Sequence, residues 1–143
     1  MTMGEKEVTT RGDFVLRLER GADVLPAIVD FCARRGITSG ALRAIGAVES
    51  AKVGYYDLGA KKYEWVEYPE AMEAVSMTGN IAMVDSAPFI HAHVVLSDTK
   101  NNCIGGHLFS ARVAVTLEIH LTAFNERINR TLDNDIGLKL LDV

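Results

Sequence analysis

The chain has 143 residues, 48% of them hydrophobic, and a formal net charge of −4. That length suits one domain that buries a core without disulfides, and the apolar content excludes a disordered chain. No apolar run approaches the roughly 18 residues of a membrane-spanning helix, and mild acidity without a basic stripe is a poor footprint for nucleic acid.

Residues 1–10 are polar and read as a flexible tail with no signal-peptide core, which leaves residues 11–143 as a single domain. Phe14, Leu16 and Leu18 then alternate with polar positions, the mark of a half-buried strand, which Gly21 ends. From Asp23 to Arg35 the period changes. Leu25, Ile28 and Cys32 fall at helical spacing, with Asp23 as N-cap, Pro26 in the tolerant first turn and Gly36 closing the helix. After Ser39-Gly40 the pattern is of strands: 41–45 ending at Gly46, 48–58, 63–68, and 72–78 ending at Gly79-Asn80, where Asn80 reads as a turn residue. A brief strand at 81–84 precedes 89–96 and 104–109. Residues 112–124 form a long alternating strand, with Val113, Val115, Leu117, Ile119 and Leu121 on one face. The stretch 125–135 is a polar tail, and 137–141 adds a last short strand. One helix among many strands predicts an α+β fold: an α/β sandwich with one main helix on a twisted, mixed, largely antiparallel sheet.

Three of the four histidines fall between residues 91 and 107. In an extended strand His91 and His93 share a face, while Ala92 and Val94 share the other. Turn formers between residues 97 and 102 return the chain, so an antiparallel partner strand can bring His107 beside them. Three neutral imidazoles on one patch of sheet make a transition-metal site with an open position. Left buried and unpaired, each ring would cost roughly 1–3 kcal/mol, which a metal, a carboxylate or solvent has to offset. Zinc suits imidazole best, with nickel, copper and iron open as alternatives. Gly105 and Gly106 permit a close backbone approach or a bulge that turns the strand.

Glu118 is the candidate catalytic or histidine-orienting carboxylate, with Glu73 as runner-up, and a salt bridge is the plainer role for each. His120 reads as an ordinary strand residue. Cys103 joins the ligand set only if the two glycines do not bulge. Cys32 and Cys103 otherwise read as reduced thiols of a cytoplasmic protein. No phosphate-cradling GxxxxGKS loop, GxGxxG turn or GxSxG elbow is present.

Taken in order, several stretches resemble one known family. They are Phe14-Val15-Leu16-Arg17-Leu18, Ile37-Thr38-Ser39-Gly40, Ile45-Gly46-Ala47-Val48, Gly54-Tyr55-Tyr56-Asp57, Pro88-Phe89-Ile90-His91-Ala92-His93, Gly105-Gly106-His107-Leu108 and Val113-Ala114-Val115-Thr116-Leu117-Glu118. Together they are similar to the PPC domain, conserved in plants and prokaryotes, in its stand-alone prokaryotic form. The resemblance implies one main helix on a twisted sheet, a homotrimer, and His91, His93 and His107 as metal-site histidines. The family is often labelled DNA-binding, but its plant members carry an adjacent Arg-Gly-Arg-Pro hook. Here Arg11-Gly12 is followed by Asp13, so direct nucleic-acid binding is not expected. The expectation is a metal-binding protein that takes a small ligand, with hydrolytic or lyase-type chemistry if it is an enzyme. The alternative is a DNA-associated or regulatory module in which the metal is structural or absent.

Overall fold

The computed structural model describes residues 3–143, so Met1 and Thr2 of the expected tail lie outside the described residues. Strand β1 (Thr10–Glu19) leads into helix α1 (Val24–Arg35). Seven strands follow: β2 (Gly40–Asp57), β3 (Lys62–Tyr68), β4 (Met72–Val84), β5 (Ala87–Ser97), β6 (Cys103–Phe124), β7 (Asn129–Asp133) and β8 (Leu138–Asp142). Ahead of β1, Thr9 is bonded to the Glu126 carboxylate through both its backbone N–H and its hydroxyl.

The expected α+β sandwich is overturned. Strands take 65% of the residues and helix 9%, so the fold is β-rich with one short helix. The physical reason is closure. β2 pairs with both β4 and β6, β6 pairs with β5, and β5 pairs with β4. These four strands form a ring around most of the core, and the helix adds three buried residues to it rather than a layer of its own. Leu42, Met77, Ala92, Val94, Leu117 and Ile119 are buried in that core.

The helix forms where the sequence places it, but it buries only Val24, Ile28 and Cys32. It lies against β5 and β6. β5 pairs with residues 103–107 of β6 and β1 with residues 116–124, which leaves a gap between them. The turn before α1 fills it: the Gly21 N–H donates to the Val113 carbonyl at 2.8 Å, and the Val113 N–H donates to Ala22 at 2.9 Å. Asp23 occupies the N-cap position without a side-chain cap bond. At the other end Arg11 donates to the carbonyls of Gly36 and Arg35, which the helix leaves open.

Three breaks expected from the sequence are absent. β2 runs through Gly46, β4 through Gly79-Asn80, and β6 unites the two segments on either side of Ser110. Gly46 is a crossing point rather than an end: a Cβ there would stand 2.0 Å from the Thr116 carbonyl oxygen. Next to it, Gly46 faces Leu117 and Val48 faces Val113, so four residues of β6 span two of β2. This irregularity turns Val115 outward, 69% exposed, although alternation assigned it to the inner face. The polar stretch read as a tail contains β7, which pairs with β8 and meets β4 at Met83.

Replacing Gly46 with alanine is expected to cost roughly 2 kcal/mol or more, because the added carbon meets backbone that cannot move aside. Urea denaturation checks this. Gly12→Ala, whose new carbon meets only the Phe14 ring at 3.9 Å, should change stability by less than about 0.5 kcal/mol.

Candidate metal centre

β5 directs Ala92 and Val94 into the ring, where both are buried, and so directs His91 and His93 to the outer wall. The β5–β6 pairing sets His93 opposite His107, and the β4–β5 pairing sets Asn80 opposite His91. The β5–β6 register runs unbroken from His93/His107 to Ser97/Cys103, so Gly105 and Gly106 do not bulge there. They serve close approach: a Cβ on Gly106 would stand 2.7 Å from the Gly54 carbonyl oxygen. Cys103 thus shares the parity of His107 but lies four residues, about 13 Å, down the strand. It is exposed and free.

On its other edge His107 faces Gly54 of β2. A side chain at Gly54 would meet the Trp65 ring at 2.3 Å, so the glycine gives Trp65 its place across β2. Tyr63 stacks on Trp65 with centroids 4.7 Å apart and reaches over His107 at 4.8 Å. The aromatic pair covers one side of the histidine cluster.

One ring nitrogen from each of His91, His93 and His107 falls within 4.8 Å of the others. Nε2 of His91 and Nε2 of His93 are 3.2 Å apart. Two nitrogens bound to one tetrahedral zinc, each at 2.0–2.1 Å, stand about 3.3 Å apart, so the spacing fits a shared ion. Nδ1 of His107 is buried with no hydrogen-bond partner among the described residues, a second sign that the cluster is incomplete by itself.

Arg130, on β7, shapes the electrostatics. Its Nη2 stands 3.3 Å from Nδ1 of His91 and donates to Asn80 Oδ1 at 2.7 Å. A guanidinium only donates, so in the metal-free protein Nδ1 of His91 accepts and the ring carries its proton on Nε2, facing His93; ligation through Nε2 would move that proton to Nδ1 and release the Arg130 contact. Burial, then Arg130 and His93, holds the His91 pKa below its ordinary value. Burial and the neighbouring His91, His93 and Arg130 push His107 down to about 4. Both rings are therefore neutral near pH 7, the form that ligates a metal.

The carboxylates singled out from sequence lie elsewhere. Glu118 is exposed on β6, opposite Arg17 and Ile45. It shares a shallow concavity with Glu73, Thr116 and Val75, away from the histidines. His120 is exposed, opposite Val15 and Arg43. Asn80 is a strand residue that holds Arg130, not a turn residue. Sequence reasoning missed Arg130, Tyr63 and Trp65. One signal was available for Arg130: it shares the parity of Ile128, and both are buried.

A small closed-sheet protein with three convergent histidines on its outer wall is the class these features define. The family model of the Plants and Prokaryotes Conserved (PCC) domain matches residues 5–125, and the chain belongs to that family. A metal-containing protein of Archaeoglobus fulgidus has the same fold at a TM-score of 0.91 and 40% identity, over 96% of this chain and 98% of that one. A plant- and prokaryote-conserved (PPC) protein of Pyrococcus horikoshii aligns at 0.92 and 30% identity, over 99% and 98% of the two chains. A protein of Ralstonia eutropha, provisionally named DNA-binding, aligns at 0.83 and 30% identity over 90% of each chain. That name stands against the expectation that nucleic-acid binding is absent. No curated protein matches the chain.

As pH falls from 6.5 towards about 4, the unfolded chain takes up a proton at His107 before the folded chain does. The metal-free protein should therefore lose stability across that window. Urea unfolding at a series of pH values measures the slope, which should be shallower in His107→Asn.

Proposed function

We propose that the protein binds one divalent transition metal per chain through His91, His93 and His107, with zinc as the metal and a small ligand at its open position. The observation that carries this reading is the convergence of the three imidazoles, with two Nε2 atoms spaced as neighbours on one ion. The name of the Archaeoglobus relative supports it. Zinc held by three imidazoles keeps a fourth position open and, when bound, lowers the pKa of its water to about 7.

The chain's own residues supply the surroundings. Tyr63, Phe89, Leu138 and Leu140 wall a cavity of about 270 Å³ that also meets His91 and His107. They give the cavity an apolar lining and leave room for a small molecule. Neither Glu118 nor Glu73 lines this cavity, so neither carboxylate supports a hydrolytic or lyase-type reaction there. The reading is accordingly one of metal and ligand binding.

Assembly as a homotrimer belongs to the same reading. Exposed apolar residues support it: Ile45 and Val75 share one concavity, and Val115 is exposed on neighbouring β6. A cytoplasmic location is supported by two free thiols, Cys32 buried with its pKa raised to about 11 and Cys103 exposed. No helix is long and apolar enough to cross a membrane among the described residues.

Native mass spectrometry of untagged protein should show a trimer carrying one zinc per chain. The double variant His91→Ala/His93→Ala should keep the trimer and lose the metal, and stoichiometric zinc in that variant would contradict the assignment. A second reading, a DNA-associated module, is favoured by the names of two relatives. Titrating labelled duplex DNA between about 50 and 200 mM salt separates the two. The first reading expects no saturable binding at sub-micromolar protein, whereas tight, steeply salt-dependent binding would establish the second.

A further inference from the structure

Arg130 is 91% buried, since only 9% of its surface is exposed. No carboxylate pairs with it among the described residues. Its partners are the Lys139 carbonyl at 3.0 Å, Asn80 Oδ1 at 2.7 Å and the ring of His91, and Phe89 lies 5.6 Å from its guanidinium carbon. Its Nε–H is buried and bonded to nothing. A buried cation without a counter-charge is costly, and an unmade buried hydrogen bond adds to that cost. Arg130 borders the cavity beside His91 and His107. The other cation at its rim, Lys139, is already engaged with Asp85.

We propose that Arg130 is the anion-recognition residue of this cavity, and that the ligand is a small organic monocarboxylate with an apolar body. The proposal deepens the reading of the metal site, and rests on it for the ligand meeting a metal at all. Nη2, the other donor on the Nε edge, is engaged with Asn80 and His91, so a carboxylate would gain one charge-assisted hydrogen bond, from the unpartnered Nε–H. In the zinc-free protein the charge balance selects a monoanion, because the guanidinium is the one uncompensated charge beside the cavity, Lys139 being paired with Asp85. A phosphate dianion would leave charge unmatched against apolar walls. Those walls, Val84, Phe89, Leu138 and Leu140, take the apolar body. The volume, about 270 Å³, is below the usual range for drug-sized ligands and confines the choice to small molecules.

The test uses the full chain, zinc-free and zinc-loaded. Trp65, the only tryptophan, stacks against Tyr63 at the cavity wall and reports binding by its fluorescence. The probes are benzoate, its neutral isostere benzamide, and inorganic phosphate. Benzoate should bind zinc-free wild-type protein about tenfold or more tightly than either of the others, and every affinity is compared in that form. Arg130→Gln should bring benzoate to the benzamide level while zinc content stays unchanged. Arg130→Lys, which keeps the charge but not the Nε–H donor, should fall between. Equal affinity for benzoate and benzamide would overturn the proposal, as would full benzoate affinity in Arg130→Gln or tighter binding of phosphate. The wild-type comparison decides even where Arg130→Gln fails to fold. Arg130-dependent benzoate binding without zinc uptake would uphold this proposal and sink the metal reading. Zinc uptake with no preference for benzoate would do the reverse.

Discussion

The fold hangs on one strand with both edges occupied. β6 is 22 residues long, and β2 pairs with it from one end to the other. Its remaining pairing is divided between β5 and β1, with the turn before the helix bonded into the gap. That division closes the ring, seats the helix and locates the site. His107 stands where β6 is flanked by β5 and β2 at once, so its backbone is held from both sides. Its neighbours across the two ladders are a histidine and a glycine, one supplying a ligand and the other space for an aromatic cover.

The charge arrangement around the cluster is unusual for histidines that could hold a metal. Ligating imidazoles commonly donate their second N–H to a carboxylate or carbonyl, which raises their basicity. Here a guanidinium donates to His91, and no carboxylate joins the group among the described residues. Burial and like charge hold His91 and His107 neutral, as their lowered pKa values reflect. The local field therefore draws anions, and a divalent cation would sit most favourably there with a negative ligand beside it.

Much of the site was legible because it depends on short-range geometry. Parity placed His91 and His93 on one face, and the turn formers after Leu96 announced the return that brings back His107. The helix was legible from its spacing and its terminal Gly36. Fold class was not, because ring closure rests on the β2–β4 and β2–β6 pairings, between segments far apart in sequence. Glycines read as strand ends at 46 and 79 were places where backbones pass too closely for a side chain. Glu118 looked placed for catalysis only because its strand also carries His107, and eleven residues of extended chain separate them. Arg130 was hidden by composition: a charged residue in a polar stretch reads as solvated until its partners are known.

The β7–β8 hairpin pairs with the ring's backbone at Met83 alone among the described residues, and is otherwise tied to it by side chains, Arg130 to Asn80 and His91 and the Tyr56 hydroxyl to the Ile136 carbonyl. It also lies beyond residues 5–125, the span that defines the family. The histidines lie within that span and Arg130, Leu138 and Leu140 beyond it, although the Archaeoglobus and Pyrococcus structures align over 96% and 99% of the chain, hairpin included. On the proposed reading, selectivity and coordination would fall to different pieces of chain. A different hairpin grafted after residue 125 would give the same three histidines a new clientele, and related proteins could diverge in what they bind while their sheets stay superimposable.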